Sequence, residues 1–345
     1  MESSQIESKQ TSFRDSNMEL LRIVCMLLVI LCHANYMSLG SPSQSDTIIH
    51  SGSSFFRMYL FAVSAICVNC FILISGWYGI RPKLKRFISL MFQVLFVCSV
   101  SLLLYSIHSN HPLDQRDFKS LLLLTDDLWF VKTYIILYLL SPALNSFGQH
   151  VTHRQYLLIL AGLFLFQTIY GWMSSGANWI DGGYSPFSFI FLYLVAQYIR
   201  LYPNRLTNQC AIHYISAFLI LTFATTSVNY LSIRYGIGEG TAWFSYISPF
   251  ILLESILFFL FFTKLSFKSR VVNWISSSCF AVYLFHCTPI TLDGFCEQIR
   301  KYDGVGDYLS IVVMIIVIFT VSIMVDKVRM LLWSLFLKVK KIIYK

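Results

Sequence analysis

"NMELLRIVCMLLVILCHANYM" (residues 17–37) decides the class of this chain. It is apolar over the roughly 20 residues that a helix needs to cross a bilayer. Yet it carries Glu19 and Arg22 near one end and His33 near the other. Ionisable groups at membrane depth are rare because they are costly to desolvate, so they point to function. At about 100° and 1.5 Å per residue, Arg22 and His33 lie on one helix face, within about 20° of each other and roughly 16 Å apart along the axis. Glu19, three residues before Arg22, falls on nearly the same face and can pair with it. Singly, each residue has an ordinary explanation: an arginine that snorkels to the headgroups, a histidine bonded to a nearby carbonyl. Together on one face, they favour a functional pair turned into a bundle interior.

The rest of the chain agrees with a membrane reading. Its 345 residues are 56% hydrophobic, 17% aromatic and only 12% charged, where a soluble domain carries about 25% charged residues. Apolar runs recur at about 19–37, 58–79, 87–108, 128–147, 155–173, 186–200, 211–231, 244–263, 274–292 and 309–326. The sixth and ninth are short or broken by Pro or Gly. The expected fold is an all-α polytopic membrane protein with about ten transmembrane helices and both termini cytoplasmic. Residues 1–18 form a cytoplasmic tail without the marks of a signal peptide, residues 19–326 the transmembrane domain, and residues 327–345 a basic cytoplasmic tail.

Charge sets the orientation. About 19 of the 26 Lys and Arg fall in the tails, at Arg22, in "RPKLKR" (81–86) and in the connections around Arg154, Arg200 and Lys264. By the positive-inside rule this set is cytosolic. The net charge of +9 is thereby accounted for without nucleic acid. Of the nine cysteines only Cys296 stands in an outer loop, so no disulfide framework follows. "CVNC" (67–70) reads as mid-membrane packing. The outer loops are small and rich in Ser, Gly, Asp and aromatic residues. They suit either a lid over a polar site or ordinary solvated turns.

Further polar residues stand in the other spans. "DDLWFVKTYIILYLLSPALN" puts Asp126, Asp127 and Trp129 at the outer end of the fourth span and Lys132 a turn inside it. "SSSCFAVYLFHCTPI" places His286 three residues before Pro289. Glu254 is the remaining deep carboxylate and needs a partner among Lys132, the histidines or a wet cavity. "NCFILISGWYGIRPKLKRF" pairs a small Ser75–Gly76 step with a basic inner run that can bind phosphates or anionic membrane lipid. His33 and His286 give two metal ligands at most, so no metal site is evident.

These segments, in this order and over about residues 17–325, resemble the acyltransferase-3 family of bacterial inner-membrane O-acyltransferases. The matching features are the Arg–ten residues–His pattern of Arg22 and His33 in "RIVCMLLVILCH", then "CFILISGW", "LWFVKTYIILYLLSPALN" and "SSSCFAVYLFHCTPI". The basic run after "ISGW" is arranged differently from the family's usual arginine pair, though its charge is retained. The flavour is that of the surface-polysaccharide acetyltransferase branch. The resemblance implies transfer of an acyl group, usually acetyl, from cytosolic acetyl-CoA or another short acyl-CoA to a hydroxyl of an envelope glycan or lipid-linked sugar. It implies a multi-pass bacterial inner-membrane protein with no tightly bound cofactor. It also makes Arg22 and His33 the essential pair.

A mechanism then suggests itself. Arg22, with Arg81, Lys83 and Arg86, would hold the donor phosphates through charge-assisted bonds. His33 would act as general base, and His286 or Lys132 would stabilise the oxyanion. Asp126, Asp127, Trp129 and Glu254 would face the acceptor. The main alternative is a transporter or flippase for a lipid-linked sugar or polar solute. It explains buried charge equally well but not the ordered blocks, and no repeated halves are seen.

Overall fold

The computed structural model describes residues 15–109, 113–174, 177–237, 242–303 and 308–343, with the side chains of residues 108, 109 and 303 and those from 337 onward left aside. Most of the expected tail 1–18 therefore lies outside the described residues. Helix α1 (Ser16–Cys32) runs on into a π-helical turn, His33–Met37. After the short α2 (Gln44–Ile49), α3 (Ser51–Ala65) and α4 (Cys67–Tyr78) together make the second span. Next come α5 (Leu84–Ser109), the short α6 (Gln115–Leu121) and α7 (Trp129–His150). α8 (His153–Gln167) ends in a second π-helical turn, and α9 (Pro186–Leu201) and α10 (Ala211–Arg234) follow. The chain closes with α11 (Pro249–Thr263), α12 (Arg270–Ser276), α13 (Cys279–His286), α14 (Pro289–Asp303) and α15 (Tyr308–Ile343). Among the described residues no strand occurs.

Among the described residues eight stretches are long and apolar enough to cross a membrane, or nine if the bent pair counts as one span. The two irregular spans are the ones that the sequence marks as short or broken. α9 is apolar but only 16 residues long, with Pro186 in its first turn and Ser185 capping its start. The ninth span is the α12–α13 pair followed by α14 at a bend of 84°. The bend follows from Pro289, which has no N–H to continue the ladder but suits the first position of a new helix. Turned aside, α14 buries Phe295, Cys296 and Ile299 against the bundle. Cys296 therefore sits in a packed helix rather than an open outer loop, because the apolar face of α14 lies among polar residues in sequence.

α1 is the central helix: it packs on α3, α4, α11, α12 and α13. The most extensive interface joins α4 to α9, and Gly76 makes it possible. A Cβ at Gly76 would overlap the Tyr193 backbone carbonyl and crowd the Ala196 side chain. Gly76→Ala is expected to destabilise the protein by about 1–3 kcal/mol through overpacking. Gly162→Ala, with nothing within 4 Å of the new methyl, is expected to be neutral or mildly stabilising. Thermal unfolding of the detergent-solubilised variants checks both.

α15 is 36 residues long, about 54 Å, against a hydrocarbon core of about 30 Å. It passes the boundary expected at 326/327 without a break. The basic tail read from the sequence is continuous with the last span.

Candidate functional site

A cavity of about 1060 Å³ opens along α1. Asp15, Arg22 and Tyr78 line one end, and His33, Met37 and Trp129 line the other. The face shared by Arg22 and His33 is thus one wall of a single cavity. Glu19 holds Arg22 at its end: the guanidinium pairs with one Glu19 oxygen, and the Ser276 hydroxyl donates to the other. Beside them the Tyr78 hydroxyl donates to Asp15 at 2.8 Å.

His33 opens the π-helical turn, where the backbone widens by one residue; such bulges recur at functional sites. The Ser38 hydroxyl donates to the His33 carbonyl at 2.8 Å and closes the turn. Nδ1 of His33 lies 2.9 Å from Nε2 of His286, with the rings 5.0 Å apart. His286 ends α13 just before the bend, fully buried, its ring edge-on to Phe295. Two ring nitrogens at that distance share one hydrogen. If His33 Nδ1 carries it, His33 Nε2 is left with a free lone pair. The sequence holds these residues 253 positions apart, and only packing of α13 on α1 joins them.

Near His33 the wall is aromatic. Trp129 lies 4.4 Å from Tyr184 and 6.3 Å from Tyr246, centroid to centroid, and the two tyrosines are 5.1 Å apart. Tyr184 comes from the loop before α9, whose Ile180 is fully buried. Asp126 and Asp127 stand on the same rim. They precede Leu128, which takes a left-handed conformation (φ 49°) as α7 begins, a strained geometry for a side chain of its size.

Several expected site residues stand elsewhere. Lys132 does not line the cavity: its Nζ donates to the Thr125 carbonyl at 2.6 Å and lies 4.0 Å from Asp126, bracing the loop before α7. His286 is behind His33 rather than on the wall, with Nε2 already engaged. Glu254 is fully buried between α10 and α11, where its partner is the Thr225 hydroxyl at 2.9 Å. Thr222, Thr225, Thr226 and Asn229 repeat at helical spacing on the buried face of α10 and supply that polar seam. The other Glu254 oxygen is buried without a hydrogen-bond partner, from Lys132, a histidine or any other described residue.

Lys83, just before α5, and Arg86, in its first turn, are exposed and do not line the large cavity. Arg81 lines a smaller one, about 290 Å³, shared with Arg200, Asn145 and Gln197. Tyr78 borders both cavities. Of "CVNC", Cys67 lines the large cavity and Cys70 is buried in packing.

The sequence reading missed Tyr184, Tyr246, Gln93, Arg116 and Asp293, which also line the cavity. Each sits in a loop or at a helix position that gives no local signal. Only the loop "SSGANWIDGGYS", with its clustered aromatic and Gly residues, offered a hint.

No characterised protein and no solved structure matches the chain. A family model described as an acyltransferase domain matches residues 15–327, a stretch that holds every cavity-lining residue named above. The chain is therefore a polytopic membrane acyltransferase of the acyltransferase-3 family.

Proposed function

We propose that this enzyme moves an acetyl or other short acyl group from cytosolic acyl-CoA to a hydroxyl of an envelope glycan or its lipid-linked precursor. It would do so as a multi-pass protein of a bacterial inner membrane. The observation that carries the reading is the single cavity joining Arg22 to His33, with the His33 ring backed by His286. Charge asymmetry places the Arg22 end in the cytosol. There Arg22 takes an anionic group of the donor, and Arg81 with Arg200 at the adjoining smaller cavity offers further cations for phosphates. Lys83 and Arg86 add long-range attraction from the exposed start of α5. The thin arm of the donor then runs along α1 and presents its thioester near His33.

The acceptor enters from the other end, over Trp129, Tyr184 and Tyr246. Aromatic faces suit the apolar faces of a sugar, and the rim carboxylates of Asp126 and Asp127 accept from its hydroxyls. His33 Nε2 removes the proton of the attacking hydroxyl as its oxygen bonds to the acyl carbon. The tetrahedral intermediate collapses, the carbon–sulfur bond breaks, and the CoA thiolate takes that same proton from His33. His286 acts as a positioning residue: its Nε2 accepts from His33 Nδ1 and steadies the imidazolium formed in passing. Lys132 holds the Thr125–Asp127 loop, and Glu254 locks α10 to α11; in this reading neither touches substrate.

The test is transfer itself. Inverted vesicles carrying the protein, loaded with extracted envelope glycan in the lumen and given labelled acetyl-CoA outside, are expected to place label in the glycan. Solute movement with no label in any glycan or lipid-linked sugar would overturn the assignment.

A further inference from the structure

α15 presents most of its surface outward, yet on the side facing the bundle it buries an ion pair. Asp326 is 0% exposed and Arg329 is 7% exposed. Arg329 Nε donates to Asp326 Oδ1 at 2.6 Å. A buried ion pair rarely outperforms an apolar pair of the same size as a source of stability. Buried together on an otherwise apolar, outward-facing helix, such residues point to a role beyond packing.

The pair reaches another helix through Gln93 of α5, whose Nε2 donates to the same Asp326 oxygen at 3.1 Å. Gln93 in turn lines the large cavity. A primary amide beside a carboxylate has one acceptable polarity. Its NH₂ faces the carboxylate, because the reversed amide would set oxygen against oxygen. Asp326 Oδ2 is buried and otherwise unpartnered, which strengthens that preference. With its NH₂ held by Asp326, Gln93 has its Oε1 left to offer as an acceptor to the cavity. The next residue of α15 makes a parallel link. Lys327 Nζ donates to Ser277 Oγ at 2.8 Å and to the Trp274 carbonyl at 2.7 Å, and Ser277 also lines the cavity. α15 thus fixes two polar residues on one section of the wall, among apolar neighbours such as Leu90 and Phe280.

A ligand with an N–H donor partway along a thin chain fits this section. The pantetheine arm of acyl-CoA is such a chain: it carries two secondary amides, and each N–H is costly to bury without a partner. Resting on the acyl-CoA reading above, we propose that Gln93 is a donor-binding residue whose Oε1 accepts from a pantetheine amide N–H. The Asp326–Arg329 pair is the positioning device that fixes the polarity of the Gln93 amide.

Binding of labelled acetyl-CoA to the purified full-length protein in nanodiscs tests this without knowledge of the acceptor. Gln93→Leu is expected to raise the Kd for acetyl-CoA about tenfold, the loss of one hydrogen bond. Two acetyl-CoA analogues, each with one pantetheine amide N–H replaced by an ester oxygen, supply the second arm. For one of them the wild-type protein shows the same tenfold loss, and Gln93→Leu shows no further loss. Asp326→Asn, which frees the amide to turn over, raises the Kd about threefold in the wild-type background and leaves it unchanged in Gln93→Leu. Gln93→Met serves if the leucine variant does not fold.

If the losses from the Gln93 variant and from both analogues multiply, the Gln93 assignment is overturned while acyl-CoA binding stands. If the wild-type protein does not bind acetyl-CoA, the donor reading itself fails. The two failures are thus distinguishable.

Discussion

His33→Ala is expected to lower the rate of label transfer to glycan by a factor of about 10²–10⁴, the range supplied by a positioned general base. The side chain borders the cavity and closes no buried ion pair, so the protein should insert at normal abundance. The cavity gains space and loses its base, while Arg22, Glu19 and Ser276 keep their arrangement at the far end. Donor affinity is therefore expected to stay within about threefold, since one neutral side chain away from the phosphates contributes little to it. His33→Gln, close in volume and unable to take up a proton, should lose as much as alanine. Initial rates normalised to membrane abundance decide the matter. A His33→Ala variant that keeps wild-type transfer would remove His33 from the chemistry.

The second large effect concerns His286, which touches no cavity space. His286→Leu removes the ring nitrogen 2.9 Å from His33 Nδ1. The imidazolium formed during transfer then loses its partner, and the ring loses the contact that selects its orientation. The expected loss in kcat is about 10- to 100-fold, the scale on which partners behind a functional histidine act. The KM for donor and acceptor should hardly move. His286→Gln places an amide oxygen near the position of Nε2 and should restore most of the rate. A purely structural role predicts something else: both variants would lower abundance and thermal stability together, and Gln would not restore turnover per molecule. Measuring kcat and unfolding temperature for both separates the two.

The membrane class of the fold was legible in the sequence because its physical cause is local. A run such as 17–37 is apolar enough to leave water regardless of what it meets. Pro289 and the brevity of the sixth apolar run also announced the two irregular spans. The 84° bend was not legible, since a proline interrupts a helix without fixing the direction in which the chain resumes. The burial of Cys296 was hidden for a different reason: the polar average of α14 masks one apolar face.

The candidate site divides in the same manner. Arg22, His33 and their common face were readable because helix geometry fixes relations between residues on one helix. Glu19 was readable as the partner of Arg22, being three residues away. Lys132 was read as an oxyanion donor, and Glu254 as needing a partner among Lys132, the histidines or a wet cavity; each met a different group. Lys132 took a carbonyl seven residues earlier, and Glu254 took a threonine on the helix packed beside it. In an apolar interior the nearest satisfying group wins, and a sequence alone does not say which group that is.

The sequence by itself determined that this chain is a helical membrane protein. It also determined that Arg22 and His33 share a helix face, and that the ordered blocks match one family. Only the tertiary structure decided that His286 stands behind His33 and that Tyr184 and Tyr246 complete the wall. It alone decided that Gln93, on the cavity wall, meets Asp326 of α15. The physical reason is range. Hydrophobicity and helical periodicity act within about twenty residues, whereas a hydrogen bond across 253 positions exists only after helices have packed.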